Sequence, residues 1–210
     1  MMRLLLVRHG LTEWNSSRRF QGHSDIPLNE IGRQQAEALA ARLSSEHIHA
    51  MYASDLERAQ ATTLVIAARQ KCISISDARL REIGFGAWEG LTYDEIRRRD
   101  PAALSRWESN AQEAAPPGGE TLDQLVRRVQ PVLDEICARH VDETVLIVAH
   151  GGPLQVLLCL ALGLAPRMYW QFHLSPASIS EVAFWPAGAI LNLLNDTCHL
   201  NGANGWLPRS

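Results

Sequence analysis

The chain has 210 residues, 46% hydrophobic, 20% charged and 6% aromatic, which is enough apolar material for one sizeable core and typical of a soluble globular protein. With 20 Lys and Arg against 23 Asp and Glu, the net charge is -3 and the isoelectric point about 6.2. That balance supplies no electrostatic footprint for a nucleic acid or an anionic membrane, so any bound anion must be small and gripped locally.

The opening residues 1–7 are apolar, but Arg8 and His9 cut the run short and no small-residue cleavage site follows, so it reads as a buried strand rather than a leader. Residues 154–165 are interrupted by Gln155 and fall short of the roughly 20 apolar residues a bilayer requires. Cys72, Cys137, Cys159 and Cys198 form no Cys-x-x-Cys pair and are expected to be reduced, in a cytoplasmic protein.

Taken in order, residues 4–7 predict a first strand. Asn29 caps a helix in which Ala36, Leu39, Ala40 and Leu43 recur on one face. Residues 50–53 predict a second strand, 56–68 a helix, and 73–75 a short edge strand. Residues 79–119 are less regular, with short helices at 93–99 and 102–110, and read as an insertion lying over the site. From Thr121 the series Leu122, Leu125, Val126, Val129, Leu133 and Ile136 predicts a long helix that Pro131 should kink. Residues 144–149, Thr-Val-Leu-Ile-Val-Ala, have the pattern of a parallel strand buried on both faces, followed by an apolar helix after His150. Residues 179–185 and 189–194 predict a closing hairpin whose apolar strands offer a surface for a homodimer. This alternation implies an α/β fold, a three-layer α/β/α arrangement with a largely parallel central sheet, forming one domain over residues 1–210.

In such sheets ligands bind beyond the carboxyl ends of the strands. Two strands here end in His-Gly, at His9-Gly10 and His150-Gly151, which would bring two imidazoles and nearby helix N-termini to one edge. Arg8 adjoins His9, and Arg58 opens the helix after the second strand. Guanidinium forks bind phosphate oxygens bidentately, so these four residues describe a phosphate pocket without a metal or other cofactor. For Arg58 alone, a surface ion pair with Glu57 or Asp55 is the competing reading. A fixed imidazole can attack phosphorus, which points to His9, and the leaving alkoxide then needs a proton, for which Glu82 is the best placed carboxyl.

Arg8-His9-Gly10, Thr12-Glu13-Trp14-Asn15, Gln21-Gly22, residues 28–32 (Leu-Asn-Glu-Ile-Gly), 54–59 (Ser-Asp-Leu-Glu-Arg-Ala), 80–83 (Leu-Arg-Glu-Ile) and 148–152 (Val-Ala-His-Gly-Gly) together resemble the histidine phosphatase, or phosphoglycerate mutase-like, superfamily, in the right order over nearly the whole chain. The resemblance implies that His9 is the phosphorylated nucleophile and Glu82 the proton donor. It further implies that Arg8, Arg58 and His150 hold the phosphoryl oxygens, that Asn15 and Gly151 complete the pocket, and that Gln21 and Gly22 reach the organic part of a small phosphorylated metabolite.

Cofactor-dependent mutases of that superfamily carry Glu-Arg-His-Tyr-Gly around the acid, whereas this chain has Glu82-Ile83-Gly84-Phe85-Gly86 and continues to Trp88-Glu89-Gly90. The latter form is similar to the small bacterial phosphatases, which favours metal-independent hydrolysis, with phosphoserine or α-ribazole 5′-phosphate as candidate substrates. Phosphoryl transfer of the mutase type and a non-catalytic phosphate-binding module are the alternatives. The tail around Cys198-His199 reads either as a substrate-contacting segment or as packed surface coil. Trp88, Trp107, Trp170 and Phe172 read as a pocket roof or as packing.

Overall fold

Six consecutive residues, Thr144–Ala149, are buried, and five of them are wholly apolar, so this strand can only lie at the centre of a sheet covered on both faces. The computed structural model describes residues 1–70 and 72–200. In chain order the elements are β1 (Met2–Arg8), α1 (Glu13–Ser16), α2 (Glu30–Arg42), β2 (Ala50–Ala53), α3 (Glu57–Gln70), β3 (Ser74–Ser76), α4 (Tyr93–Arg99), α5 (Pro101–Ser109), α6 (Leu122–Arg139), β4 (Thr144–Ala149), α7 (Gly151–Ala161), β5 (Ile179–Trp185) and β6 (Gly188–Asp196). Short 3-10 turns occupy Ala78–Leu80, Gly86–Trp88, Pro166–Gln171 and Cys198–Leu200. No helix among the described residues is long and apolar enough to cross a membrane.

The sheet order is β3-β2-β4-β1-β5-β6. The first four strands are mutually parallel, and β5 and β6 continue the sheet antiparallel, so the expected α/β/α architecture is present with a mixed, mostly parallel sheet. Alternation of side chains along the central strands sorts the core into two layers. Leu4, Leu6, Val145 and Ile147 pack with Leu125, Val129, Val132 and Ile136 of α6 and Leu154 and Leu157 of α7. Leu5, Val7, Leu146 and Val148 face the other way, onto Leu39 and Ala40 of α2 and Ala59 and Ile66 of α3.

Helix starts follow the expected local chemistry. Asn29 Oδ1 accepts the backbone N–H of Gly32 at 2.9 Å, and Thr121 with Gln124 forms a reciprocal capping box at the head of α6. Pro131 lies inside α6 without ending it. It sits on the exposed side, where water can take the Arg127 carbonyl that proline leaves unpaired. The final strand is longer than the 189–194 expected from its pattern, because β5 goes on pairing with it out to Ile179 opposite Asp196. The elements absent from the sequence reading, α1 and the 3-10 turns, are too short to display a period. Residues 79–119 carry a small core of their own, in which Trp88, Ile96, Ala103 and Leu104 are buried and Trp107 packs against them. Trp88 is therefore packing inside the insertion and not a pocket wall.

The segment after β1 is held against α2 by backbone contact. A β-carbon on Gly32 would overlap the carbonyl oxygen of Leu11 and lie 2.8 Å from its nitrogen, and one on Gly10 would lie 3.1 Å from the Gly32 carbonyl carbon. Alanine is favoured over glycine inside a helix by about 1 kcal/mol, but overpacking against backbone costs about 1–3 kcal/mol, so the clash wins. Gly32→Ala is expected to lower stability, read as a reduced urea midpoint with unchanged denaturant slope. A raised midpoint would show that the close approach of Gly10, Leu11 and Gly32 carries no constraint.

Candidate active site

The parallel register places Arg8 opposite Ala149 and Ala53 opposite Val148, so β1, β4 and β2 end side by side. The His9 N–H donates to the Ala149 carbonyl and the Ser54 N–H to the Val148 carbonyl, each at 3.0 Å, which extends the ladder by one residue at both ends. His9 and His150 thus leave the sheet at one edge, with ring centroids 5.0 Å apart, and both are buried. Arg58, in the first turn of α3, is directed into the same volume and is fully buried. The surface ion pair considered for it is absent: Asp55 is taken by Arg81 at 2.6 Å and 2.7 Å, and Glu57 is exposed.

Hydrogen bonding decides the proton positions. A carbonyl oxygen can only accept, so His9 Nδ1 donates to the Gly10 carbonyl at 2.7 Å, and the lone pair of the neutral ring is on Nε2. For His150, Arg58 Nε donates to Nδ1 at 3.2 Å, which leaves the proton on Nε2, donated to Ser54 Oγ at 2.8 Å. Burial, and then the nearby Arg58 charge, hold the pKa of both imidazoles well below the usual 6.5, so both rings are neutral at physiological pH. Arg58 spends its two terminal nitrogens on the carbonyls of Gly22 and Ser24, each at 2.8 Å. Arg8 Nη1 donates to the Leu174 carbonyl at 2.6 Å, while its Nε is buried without a partner among the described residues. Burial lowers the pKa of both guanidiniums from the usual arginine value, yet arginine remains charged at any working pH. Two cations and an unmatched buried N–H beside a neutral imidazole lone pair make a receptor for an anion that carries an electrophilic centre.

Glu82 closes the group from the side. Its Oε1 accepts the backbone N–H groups of Ile83 and Gly152, both at 2.9 Å, leaving Oε2 uncommitted among the described residues. Gly151 separates this oxygen from the arginine: a β-carbon there would lie 3.6 Å from Glu82 Oε2 and 4.0 Å from the Arg8 guanidinium carbon. The backbone around Glu82 is wired to distant elements. Arg128 of α6 donates to the carbonyls of Arg79, Arg81 and Glu82, each at 2.7 Å, and pairs with Glu120, which in turn accepts the Gly84 N–H at 2.8 Å. His23, which carried no role in the sequence reading, meets the Glu82 carbonyl through Nε2 at 2.9 Å.

Glu89 joins the two halves of the site. Its carboxylate accepts from His23 N and Ser24 N at 2.9 Å, from Ser24 Oγ at 2.6 Å and from Phe85 N at 3.2 Å. It therefore fixes the turn whose carbonyls hold Arg58. Gly22 in that turn has φ +52, and a β-carbon on it would overlap the Glu89 carboxylate. Sequence reading used Glu89 only as part of a motif; a carboxylate just after Gly-Ala-Trp gives no local sign of bonding residues more than 60 positions away.

Other expected residues sit further back. Asn15 Oδ1 accepts from Thr12 N and Oγ1 in the capping box of α1, and buried Gln21 meets the same Thr12 hydroxyl through Oε1 at 2.9 Å, so both are held by this shared anchor. His199 Nε2 donates to the Ala177 carbonyl at 3.0 Å, and Ala177 N–H donates to the carbonyls of Arg8 and His9, so the tail props the end of β1 from behind.

Residues 4–197 match the family model described as the histidine phosphatase superfamily (branch 1). Over 200 residues the chain is 36% identical to phosphoserine phosphatase 1 of Hydrogenobacter thermophilus, covering 95% of each. Among solved structures, a putative α-ribazole-5′-P phosphatase from Escherichia coli superposes with TM-score 0.87 at 28% identity, over 93% of this chain and 96% of that one. A mycobacterial glucosyl-3-phosphoglycerate phosphatase in complex with VO3 superposes with TM-score 0.85 at 32% identity, over 93% and 99%.

Neutral buried imidazoles couple folding to pH. In the unfolded chain His9 and His150 take up protons near pH 6.5, whereas in the folded state they do so only at much lower pH, so the unfolded state binds more protons and stability falls as pH drops below about 6.5. The urea midpoint is expected to decrease from about pH 7 to about pH 5 and to decrease less steeply in His150→Asn; equal slopes would contradict the assignment. Replacing the charged acceptor in Glu89→Gln puts an amide N–H against backbone donors, and kcat/KM should drop by about tenfold or more, the usual cost of about 1.5–3 kcal/mol for a hydrogen bond to a charged group.

Proposed function

Because the chain belongs to the histidine phosphatase superfamily (branch 1) and is a phosphatase, we propose that it hydrolyses a small metabolite phosphate monoester through a phosphohistidine at His9. The observation that carries this reading is the hydrogen bond from His9 Nδ1 to the Gly10 carbonyl, which leaves a neutral, unprotonated Nε2 facing two guanidiniums. In the first step the Nε2 lone pair attacks phosphorus, the ester P–O bond breaks, and the leaving oxygen takes a proton from Glu82. That proton enters with the monoanionic ester, whose second ionisation lies near pH 6. Arg8, Arg58 and the backbone at Gly151 hold the phosphoryl oxygens and stabilise charge developing on them, with His150 oriented beside them. Asn15, Gln21 and Gly22 form the wall beside the pocket.

In the second step Glu82, now a carboxylate, accepts a proton from water as the water oxygen attacks phosphorus. The P–N bond breaks and neutral His9 returns. Charge neutralisation by arginine replaces the role a metal would play, so the reaction proceeds with EDTA present. Two acyclic or ring-bearing esters, phosphoserine and α-ribazole 5′-phosphate, are the candidate substrates, and relatives bearing those names stand behind both.

Phosphate release from p-nitrophenyl phosphate in EDTA, with His9→Ala as the blank, tests the mechanism: activity should fall by about 1000-fold or more in the variant. Acid-labile phosphate should be trapped on the wild-type protein and not on His9→Ala. Glu82→Gln should slow esters of poor leaving groups far more than p-nitrophenyl phosphate, whose leaving group scarcely requires a proton. Equal loss on both would remove Glu82 from the role of proton donor, and recovery by a divalent ion after chelation would overturn the metal-free route.

A further inference from the structure

Between the 3-10 turns at Ala78–Leu80 and Gly86–Trp88 the main chain runs through residues 81–85 with neither helix nor strand. Glu82 stands in this stretch, so the carboxylate proposed as proton donor is carried by a segment with no hydrogen-bonded ladder of its own. A reacting group has to be held within about 0.5 Å of its productive position. The carbonyls of such a segment, once drawn away from water, need donors from elsewhere.

Arg128, in the second turn of α6, supplies them. A guanidinium carries five N–H groups in one plane, and all those of Arg128 are engaged. Nη1 donates to the carbonyls of Arg79 and Arg81 and Nη2 to that of Glu82, each at 2.7 Å. The remaining two, on Nε and Nη2, meet the two oxygens of Glu120 at 2.9 Å and 2.8 Å as a bidentate pair. Glu120 in turn holds the chain two residues past the acid in both directions. Its N–H donates to the Gly84 carbonyl at 2.7 Å, and its Oε2 accepts the Gly84 N–H at 2.8 Å. His23 Nε2 adds a second donor to the Glu82 carbonyl at 2.9 Å.

This saturation separates Arg128 from the two arginines of the pocket. Arg8 makes one side-chain hydrogen bond among the described residues and Arg58 makes three, so both keep N–H groups for an incoming anion. Arg128 has no donor left for a substrate oxygen, and any effect it has on the reaction passes through residues 79–84. Both ends of Glu82 are then fixed independently, the carbonyl by Arg128 and His23 and Oε1 by the N–H groups of Ile83 and Gly152. A lysine, with three donors on one nitrogen, cannot span three carbonyls and a carboxylate in a plane.

We propose that Arg128, held in plane by Glu120, is the positioning residue for the proton donor: it sets the main chain at 79–84 so that Glu82 Oε2 meets the leaving oxygen, without itself touching the substrate. The inference rests on the phosphatase reading above and adds to it a residue of α6, 46 positions from the acid. If Arg128 served folding alone, its removal would depress every substrate alike. If it positions the acid, the loss falls on esters whose leaving oxygen needs a proton.

The test compares kcat/KM for benzyl phosphate, which releases an alkoxide, with that for p-nitrophenyl phosphate. Wild type, Arg128→Gln, Arg128→Lys and Glu120→Gln are measured, and each variant is repeated in the Glu82→Gln background. Both esters are assayed on one preparation, so an unfolded fraction cancels in their ratio. In Arg128→Gln the benzyl ester should lose about 30-fold or more and the p-nitrophenyl ester about threefold or less. Arg128→Lys and Glu120→Gln should show the same bias at about three- to tenfold, and these milder changes carry the comparison should Arg128→Gln not fold. In the Glu82→Gln background none of the three should cost the benzyl ester more than about a further twofold, because the proton whose transfer they govern is gone. Equal losses on the two esters, or losses that multiply in full with Glu82→Gln, would overturn the positioning role and leave the phosphatase reading standing. Absence of wild-type turnover on both esters would remove that reading, and equal loss on both in Glu82→Gln would remove its proton donor; either result takes the inference with it.

Discussion

A guanidinium with no exposed surface and no ion pair among the described residues sits at the centre of this structure. Burying an unpaired charge is expensive, and Arg58 meets that cost with two backbone carbonyls, a neutral imidazole nitrogen and the long-range field of Glu82 and Asp25. None of these neutralises it. The neighbouring structure holds Arg58 in place: α3 sets its backbone, the 22–25 turn supplies carbonyls, and Glu89 pins that turn.

The same constraint explains why the imidazoles are neutral. Were His9 or His150 protonated, a third or fourth positive charge would lie in one dry volume, so burial and then the Arg58 charge lower both pKa values. Neutrality is also what a nucleophile at phosphorus requires. Under the proposed mechanism, electrostatic preparation for an anion and activation of His9 are one property of the pocket, obtained by ending three parallel strands at a common edge.

The residues gathered around Arg58 rest on strand ends and helix starts of the sheet, whereas residues 79–119 carry a separate small core around Trp88 and Ile96. Changes in that insertion can proceed without moving the strand ends, an arrangement in which a rigid sheet supports variable connections.

The sequence by itself determined the alternating α/β pattern, the two His-Gly strand ends, the cap at Asn29, and the cluster of His9, Arg8, Arg58, Glu82 and His150 as candidate chemistry. These are legible because period, capping and strand-end position are local properties of a few adjacent residues. Only the tertiary structure decided that Glu89 and His23 brace Glu82 and Arg58, that Arg128 of α6 gathers three carbonyls of the acid loop, and that Trp88 is core while Trp170 is exposed. Those relations join residues from 46 to 66 positions apart, or further, through side-chain and carbonyl geometry. Nothing in the local pattern of either partner encodes such a pairing, which is set by how the layers pack.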